Sequence, residues 1–129
     1  MAKGSCNCGA VTFETTGPLR DVVYCHCTQC RKQTGHFVAA TSSSNADISI
    51  VGEDNITWYA ASPDAQRGFC RTCGSALFWR PKKEASRTSI WAGSFDAPSG
   101  LKASHHIYVA DKGEYYEICD GLPQFDGAD

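Results

Sequence analysis

The feature that most constrains this chain is a run of three cysteines, Cys25, Cys27 and Cys30, separated by one and two residues. We call these three residues the triplet. Their spacing lets one short loop present three thiolates to a single metal ion. Structural zinc sites are closed by four protein ligands, whereas catalytic zinc sites keep one position open for water or substrate. The triplet therefore predicts a zinc site with one open position.

Two cysteine pairs elsewhere in the chain predict a second zinc site. Cys6 and Cys8 form one pair, Cys70 and Cys73 form the other, and each pair is followed directly by glycine. A glycine at that position permits the left-handed backbone of a metal-binding turn. Together the two pairs supply the four thiolates of a closed site, which would fasten the N-terminus to the middle of the chain.

The spacing alone leaves the division of these cysteines between the two ions open. Cys6 and Cys8 could share an ion with Cys25 and Cys27, and the second ion would then be left with the remaining cysteines, Cys30, Cys70 and Cys73. We prefer the triplet as one site, because a single loop then positions all three sulfurs. Disulfides are a weaker interpretation of this pattern, because clustered cysteines in a reducing compartment are typical of metal or catalytic sites.

Length, charge and hydropathy limit the remaining possibilities. The 129 residues are enough for one domain, which we expect to span 1–129. The formal net charge of −2 argues against a nucleic acid or an anionic membrane as partner, since both usually select a basic surface. No apolar run resembles a secretion signal or a membrane span, so we expect a cytoplasmic location.

Local patterns predict a mostly β domain made of short strands. Thr28 is predicted to cap about one turn of helix that ends at Gly35. The segments 48–51 and 56–59, joined by the turn-forming residues 52–55, are predicted to pair as a hairpin. Further strands are predicted at 11–14, 22–24, 37–40, 76–79, 89–92 and 106–109.

Residues outside the two predicted zinc sites also have predicted roles. Arg31 and Lys32 follow the triplet and are expected to offset its negative charge. His26 lies between two predicted ligands, and a supporting or solvent-facing role is favoured over metal binding. Cys119 is interpreted as a buried thiol rather than as a fourth ligand. The tryptophans are expected in the core or in a pocket wall, at positions Trp58, Trp79 and Trp91.

The cysteine motifs together resemble a known family. They read Gly4-Ser5-Cys6-x-Cys8-Gly9, Cys25-His26-Cys27-x-x-Cys30-Arg31-Lys32 and Phe69-Cys70-x-x-Cys73-Gly74. In this order they resemble the glutathione-dependent formaldehyde-activating enzyme family, which also includes the centromere protein V domain. The similarity continues through Gly93-Ser94-Phe95-Asp96, His106-Ile107-Tyr108-Val109 and Asp120-Gly121-Leu122-Pro123-Gln124-Phe125, and so covers nearly the whole chain.

The resemblance implies a fold, two zinc ions and a reaction. The implied fold is a β-tent of small antiparallel sheets. The implied ligands are Cys6, Cys8, Cys70 and Cys73 for a structural ion and Cys25, Cys27 and Cys30 for a catalytic ion. The family's named reaction joins glutathione to formaldehyde and gives S-hydroxymethylglutathione, which classes the enzyme as a carbon–sulfur lyase.

Substrate contacts and competing functions follow from this expectation. Glutathione carries two carboxylates, so we expect Arg31 to bind one of them, and we expect Asp96 in the loop 93–100 to line the pocket.

The alternative functions are a non-enzymatic zinc-binding interaction module and a thiol redox enzyme that uses Cys119. A fourth protein ligand at the triplet would favour the module, because it would close the open position.

Overall fold

The structure is a computed structural model that describes residues 1–83 and 86–128. Short strands dominate this part of the chain, and the expectation of a mostly β protein is confirmed. The strands are β1 (Ala2–Ser5), β2 (Thr12–Thr15), β3 (Val22–Cys25), β4 (Val38–Ser44), β5 (Ile48–Val51), β6 (Ile56–Tyr59), β7 (Ala65–Cys70), β8 (Ala76–Pro81), β9 (Arg87–Trp91) and β10 (Ala103–Ile107), and the helix α1 spans Thr28–Thr34.

The strands form two sheets. A three-stranded sheet has the order β1-β2-β5, and a seven-stranded sheet has the order β10-β3-β4-β9-β8-β7-β6. The described pairings are antiparallel except for that of β10 with β3, which is parallel. This parallel pair aligns His106 with Tyr24 and Ile107 with Cys25. It therefore brings the C-terminal part of the chain beside the strand that leads into the triplet.

The predicted hairpin between 48–51 and 56–59 is wrong. Strand β5 pairs with β2 in the smaller sheet, whereas β6 pairs with β7 in the larger one. The turn between them begins at Gly52, whose φ of 87° is left-handed, and a Cβ atom there would overlap the carbonyl oxygen of Ala10. The turn residues correctly predicted a change of direction, but they carry no information about which sheet each flanking strand joins.

Helix α1 differs from its prediction at one end. Its N-cap is Cys27 instead of Thr28, and the Cys27 sulfur accepts a hydrogen bond from the Cys30 backbone N–H at 3.3 Å. Gly35 ends the helix in a left-handed conformation with a φ of 89°, as predicted. The sequence did not predict a cysteine N-cap, because side chains with an oxygen acceptor are the usual N-caps. None of the helices in the described part of the chain meets the length and hydropathy needed to cross a bilayer.

The hydrophobic core joins the two sheets and encloses part of the four-cysteine group. The Phe13 ring of β2 packs edge-on against Phe78 of β8, with centroids 5.7 Å apart. Leu77 and Ile90 are fully buried in the same cluster. Cys6, which directly follows β1, and Cys70, the last residue of β7, also belong to this cluster. Any metal held by these cysteines would therefore lie against the core.

Candidate functional site

The sulfurs of Cys6, Cys8, Cys70 and Cys73 form one compact group. All four atoms lie within 4.8 Å of one another. The Cys6–Cys8 and Cys8–Cys70 sulfur separations are 3.6 and 3.7 Å. A disulfide bond would need about 2.05 Å. Thiolates on one tetrahedral zinc ion lie about 3.8 Å apart for Zn–S bonds of about 2.3 Å. The residues therefore fit a closed four-cysteine zinc site.

Hydrogen bonds from the surrounding chain favour thiolates in this group. The Val11 backbone N–H donates to the Cys6 sulfur at 3.3 Å, and the Asn55 side-chain amide donates to Cys70 at 3.4 Å. The Ser75 hydroxyl lies 3.1 Å from the Cys73 sulfur. Hydrogen bonds from the Ser75 hydroxyl and backbone amide lower the pKa of Cys73 to about 5. Thiolate is the form in which cysteine binds metal.

The triplet forms a second group at the junction of β3 and α1. Cys25 ends the strand, Cys27 caps the helix and Cys30 lies in its first turn. The three sulfurs lie within 4.8 Å of one another, and those of Cys25 and Cys30 are 3.4 Å apart. In the described part of the chain, no fourth His, Cys, Asp or Glu ligand atom joins this group. The triplet thus fits a zinc site that keeps one position open.

The triplet concentrates negative charge on a shared thiolate. Hydrogen bonds from the thiols of Cys25 and Cys30 hold the pKa of Cys27 far below its ordinary value. The same sharing with Cys27 and Cys30 raises the pKa of Cys25. One of the three cysteines is therefore readily present as a thiolate, which favours binding of a cation. A bound metal ion would displace the protons of the other two thiols.

A buried arginine supplies the charge that balances the triplet. The Arg67 side chain of β7 is only 5 % exposed, and its Nη2 donates to the Cys30 sulfur at 3.3 Å. Its Nε donates to the Gln29 side-chain oxygen at 3.0 Å. Within residues 1–83 and 86–128, no carboxylate forms an ion pair with it. A buried charge is costly unless it is paired, so the triplet sulfurs are its counter-charge.

Sequence reasoning assigned this balancing role to Arg31 and Lys32 and missed Arg67. Arg67 lies 37 residues from Cys30 in sequence, and only the pairing of β7 into the large sheet brings the two together. One signal was available in the sequence. Arg67 is a charged residue that directly precedes the apolar end of a strand, residues 68–70.

A cavity of about 200 Å³ adjoins Arg67. Gln33 from the last turn of α1 and Gly74 from the turn after Cys73 contribute to its walls. The prediction that a tryptophan forms a pocket wall holds for Trp91. The lining residues are Gln33, Arg67, Gly68, Phe69, Gly74, Ala76, Phe78 and Trp91.

The two predicted substrate contacts lie outside this cavity. Arg31 is half-buried on α1 and contributes to the electrostatic environment of Tyr116. Asp96 lines a separate cavity of about 460 Å³ that also includes Lys3 and Glu14. Neither residue lines the cavity next to Arg67, and their role in substrate binding stays a prediction.

His26 lies within a hydrogen-bonded chain that the sequence did not reveal. Its Nδ1 lies 2.5 Å from the Tyr116 hydroxyl and its Nε2 lies 2.8 Å from His106 Nδ1. His106 Nε2 lies 2.8 Å from a carboxylate oxygen of Asp120. The Asp120 carboxylate can only accept, so His106 Nε2 donates to it and His106 Nδ1 accepts from His26 Nε2. His26 Nδ1 then accepts from the Tyr116 hydroxyl. Burial, followed by the charge of His106, lowers the pKa of His26 to about 4, which suits this neutral arrangement.

This chain turns the His26 side chain towards the C-terminal segment, and both histidines are almost fully buried. The supporting role favoured for His26 fits that position, whereas solvent exposure does not. The expectation of a buried Cys119 is wrong, because the thiol is exposed. Its segment is held by Tyr116 and Asp120, and none of the strands in the described part of the chain includes Cys119.

Comparisons with known proteins agree with the cysteine motifs. A model of the family described as glutathione-dependent formaldehyde-activating enzyme matches residues 1–111. A Halomonas elongata protein, named provisionally as such an enzyme, is 29 % identical over 127 residues, covering 92 % of this chain and 81 % of its own. A Schizosaccharomyces pombe protein named as an uncharacterized lyase is 24 % identical over 124 residues, covering 95 % of this chain and 89 % of its own.

A solved structure supports the fold. The crystal structure of a Rhodobacter sphaeroides protein superimposes with a TM-score of 0.57 at 23 % identity, and it covers 95 % of this chain and 98 % of its own. The family match extends over most of the chain and includes all seven clustered cysteines. The chain therefore belongs to the glutathione-dependent formaldehyde-activating enzyme family.

Proposed function

We propose that this protein is a zinc-dependent enzyme of the carbon–sulfur lyase type that acts on the adduct of glutathione, or another small thiol, with a small aldehyde. In this proposal Cys6, Cys8, Cys70 and Cys73 hold a structural zinc ion. The triplet holds a catalytic zinc ion with one open position. The reaction is the reversible addition of a thiol to formaldehyde, which gives the S-hydroxymethyl thioether.

The observation that carries the proposal is the triplet itself. Three sulfurs within 4.8 Å, without a fourth ligand atom in the described residues, adjoin a buried arginine beside a cavity. A zinc ion bound there would supply a Lewis acid that stabilises a thiolate or polarises a carbonyl oxygen. The Arg67 guanidinium offsets the negative charge of the three thiolates. The cavity is largely lined by apolar side chains.

The size of the cavity suggests how the substrate is divided. A volume of about 200 Å³ suits a one- or two-carbon aldehyde and the reacting sulfur. It is too small for a whole tripeptide, so the glutathione backbone would lie outside, against the surface near α1. Arg31 is the proposed contact there for a glutathione carboxylate. Asp96 lines the separate cavity of about 460 Å³, and its proposed contact with the substrate would be made from there.

The test is the rate of exchange between ¹³C-formaldehyde and its glutathione adduct, measured by exchange NMR with the zinc-loaded full chain. We expect the protein to accelerate exchange well above the uncatalysed rate. Cys30→Ser should abolish the acceleration, because it removes a triplet sulfur. Cys119→Ser is the matched control, since this thiol is exposed and lies outside both groups, and it should retain full activity.

Two results would overturn the proposal. A folded protein that contains two zinc ions and does not accelerate exchange with glutathione, cysteine or mercaptoethanol would favour the non-enzymatic module. A loss of activity in Cys119→Ser with unchanged zinc content would favour thiol redox chemistry.

A further inference from the structure

Two buried N–H donors, on residues that line the cavity next to Arg67, lack hydrogen-bond partners in the described part of the chain. Arg67 Nη1 and Trp91 Nε1 are both buried, and neither has a partner within residues 1–83 and 86–128. Both residues line the cavity of about 200 Å³. Arg67 itself is 5 % exposed, and its other two nitrogens already donate, to Gln29 and Cys30. An unsatisfied buried donor is unfavourable, and buried polar groups normally have partners.

The two donors are held in place by the fold. Arg67 lies on β7 and Trp91 ends β9, both in the seven-stranded sheet. The guanidinium carbon of Arg67 lies 5.7 Å from the centroid of the Trp91 ring, and the Gln29 bond fixes the orientation of the guanidinium. Arg67, which carries a permanent positive charge, and Trp91 therefore border one small cavity, whose other walls are mainly aromatic, aliphatic or glycine.

We infer that Arg67 Nη1 and Trp91 Nε1 form a binding site for a small oxyanion, which receives the substrate's carbonyl oxygen as negative charge develops on it. An indole N–H is only a donor and a guanidinium has no acceptor, so the ligand atom must be an acceptor. At about 200 Å³, the cavity has room for a ligand of one or two carbons. The ligand class is therefore a small carboxylate, an aldehyde oxygen or the alkoxide formed from it.

This inference deepens the proposed function, on which its catalytic part rests. When a thiolate sulfur adds to formaldehyde, a C–S bond forms and the C=O π pair moves to oxygen, which becomes an alkoxide. The alkoxide then takes a proton from solvent and gives the hydroxymethyl thioether. Donors that face this oxygen stabilise the transition state more than the neutral aldehyde, because the charge on oxygen grows during the step. The reverse reaction uses the same contacts.

The test uses formate as the probe, because it is a one-carbon oxyanion and binds without turnover. Formate is titrated into the zinc-loaded full chain and its affinity is measured by calorimetry, while ¹⁵N spectra follow the three indole N–H signals. We expect saturable binding that shifts the Trp91 signal. Trp91→Phe keeps an aromatic ring but removes the donor, and should weaken formate binding about tenfold or more. Arg67→Lys keeps the positive charge but removes the N–H donors of the guanidinium, and it should also weaken formate binding.

The chain offers a matched control pair. Arg80 lies over the Trp58 ring at 4.8 Å, and neither residue lines the cavity. Trp58→Phe and Arg80→Lys should leave formate affinity within about twofold. Zinc content is measured for every variant, so that loss of metal is separated from loss of the oxyanion site.

Binding that is equally tight in Trp91→Phe would place formate on the metal alone and would overturn the inference, as would the absence of saturable binding. Formate binding with the expected dependence on Trp91, in a protein that does not accelerate adduct exchange, would support the oxyanion site while the proposed lyase function fails.

Discussion

At the scale of single residues, the site depends on a charge that lies far from the cysteines in sequence. Arg67 is buried against the Cys30 sulfur, and the described residues provide it with no carboxylate partner. The arginine and the triplet therefore stabilise each other, since either one alone would leave an uncompensated buried charge.

Arg67→Gln is predicted to weaken metal binding at the triplet selectively. It removes a hydrogen bond to a charged sulfur, which is worth about 1.5–3 kcal/mol, or about ten- to a hundredfold in affinity. Zinc content after competition with a graded chelator should fall from two ions to one. Arg80→Gln is the control, because Arg80 bonds Thr88 and has no contact with sulfur. Equal chelator resistance in wild type and Arg67→Gln would contradict this account of the charge.

His26 is predicted to make the folded protein less stable in acid. Burial, followed by the charge of His106, holds its pKa at about 4, below the ordinary value of 6.5. Between pH 4 and pH 6.5, the unfolded chain therefore binds a proton at His26 that the folded chain does not bind. The resulting stability is fully present above pH 6.5 and is lost as pH falls towards 4, by up to about 3 kcal/mol.

The measurement is urea unfolding of the zinc-loaded protein from pH 7.5 to pH 4, compared with His26→Asn. Thiolate protonation affects both proteins, so the difference between their curves isolates His26. His36→Asn is the control, because His36 is exposed and its charge lowers the pKa of His26 less than burial or the charge of His106 does. A constant difference between wild type and His26→Asn across this range would contradict the assignment.

At the scale of elements, the sequence predicted local features well and their long-range pairing poorly. The left-handed Gly35 ending α1 was predictable, because it depends on one residue and its neighbours. The separation of β5 and β6 into different sheets was not, because a turn does not specify the partners of its strands. The parallel pairing of β10 with β3 depends on residues about 80 positions apart, and alternation within either strand does not encode it.

Gly52→Ala is predicted to destabilise the link between the two sheets. Its φ of 87° is unfavourable for alanine by about 1–2 kcal/mol, and the new Cβ would overlap the Ala10 carbonyl oxygen. The free energy of unfolding in urea should therefore fall by at least that amount. Gly93→Ala is the control, since a Cβ there meets no atom within 4 Å, and it should change stability by less than about 0.5 kcal/mol. Similar stabilities of the two variants would contradict the claim that the backbone at Gly52 requires glycine.

At the scale of the whole molecule, the two cysteine groups join parts of the chain that are remote in sequence. The four-cysteine group connects the start of the chain to the turn between β7 and β8, next to the core. The triplet lies where β3, α1 and the Arg67 strand meet. Its position was predictable because all three cysteines are close in sequence. The pocket was not, because its walls come from four separate segments.

The central claim is that the seven clustered cysteines hold two zinc ions, divided four and three. The most direct test is native mass spectrometry combined with alkylation mapping of a Cys25→Ser, Cys27→Ser double variant. We predict one bound zinc ion, with Cys6, Cys8, Cys70 and Cys73 protected from alkylation and Cys30 modified. Protection of Cys30, Cys70 and Cys73 with modification of Cys6 and Cys8 would contradict the division, because the closed site would then have included the cysteines that were removed.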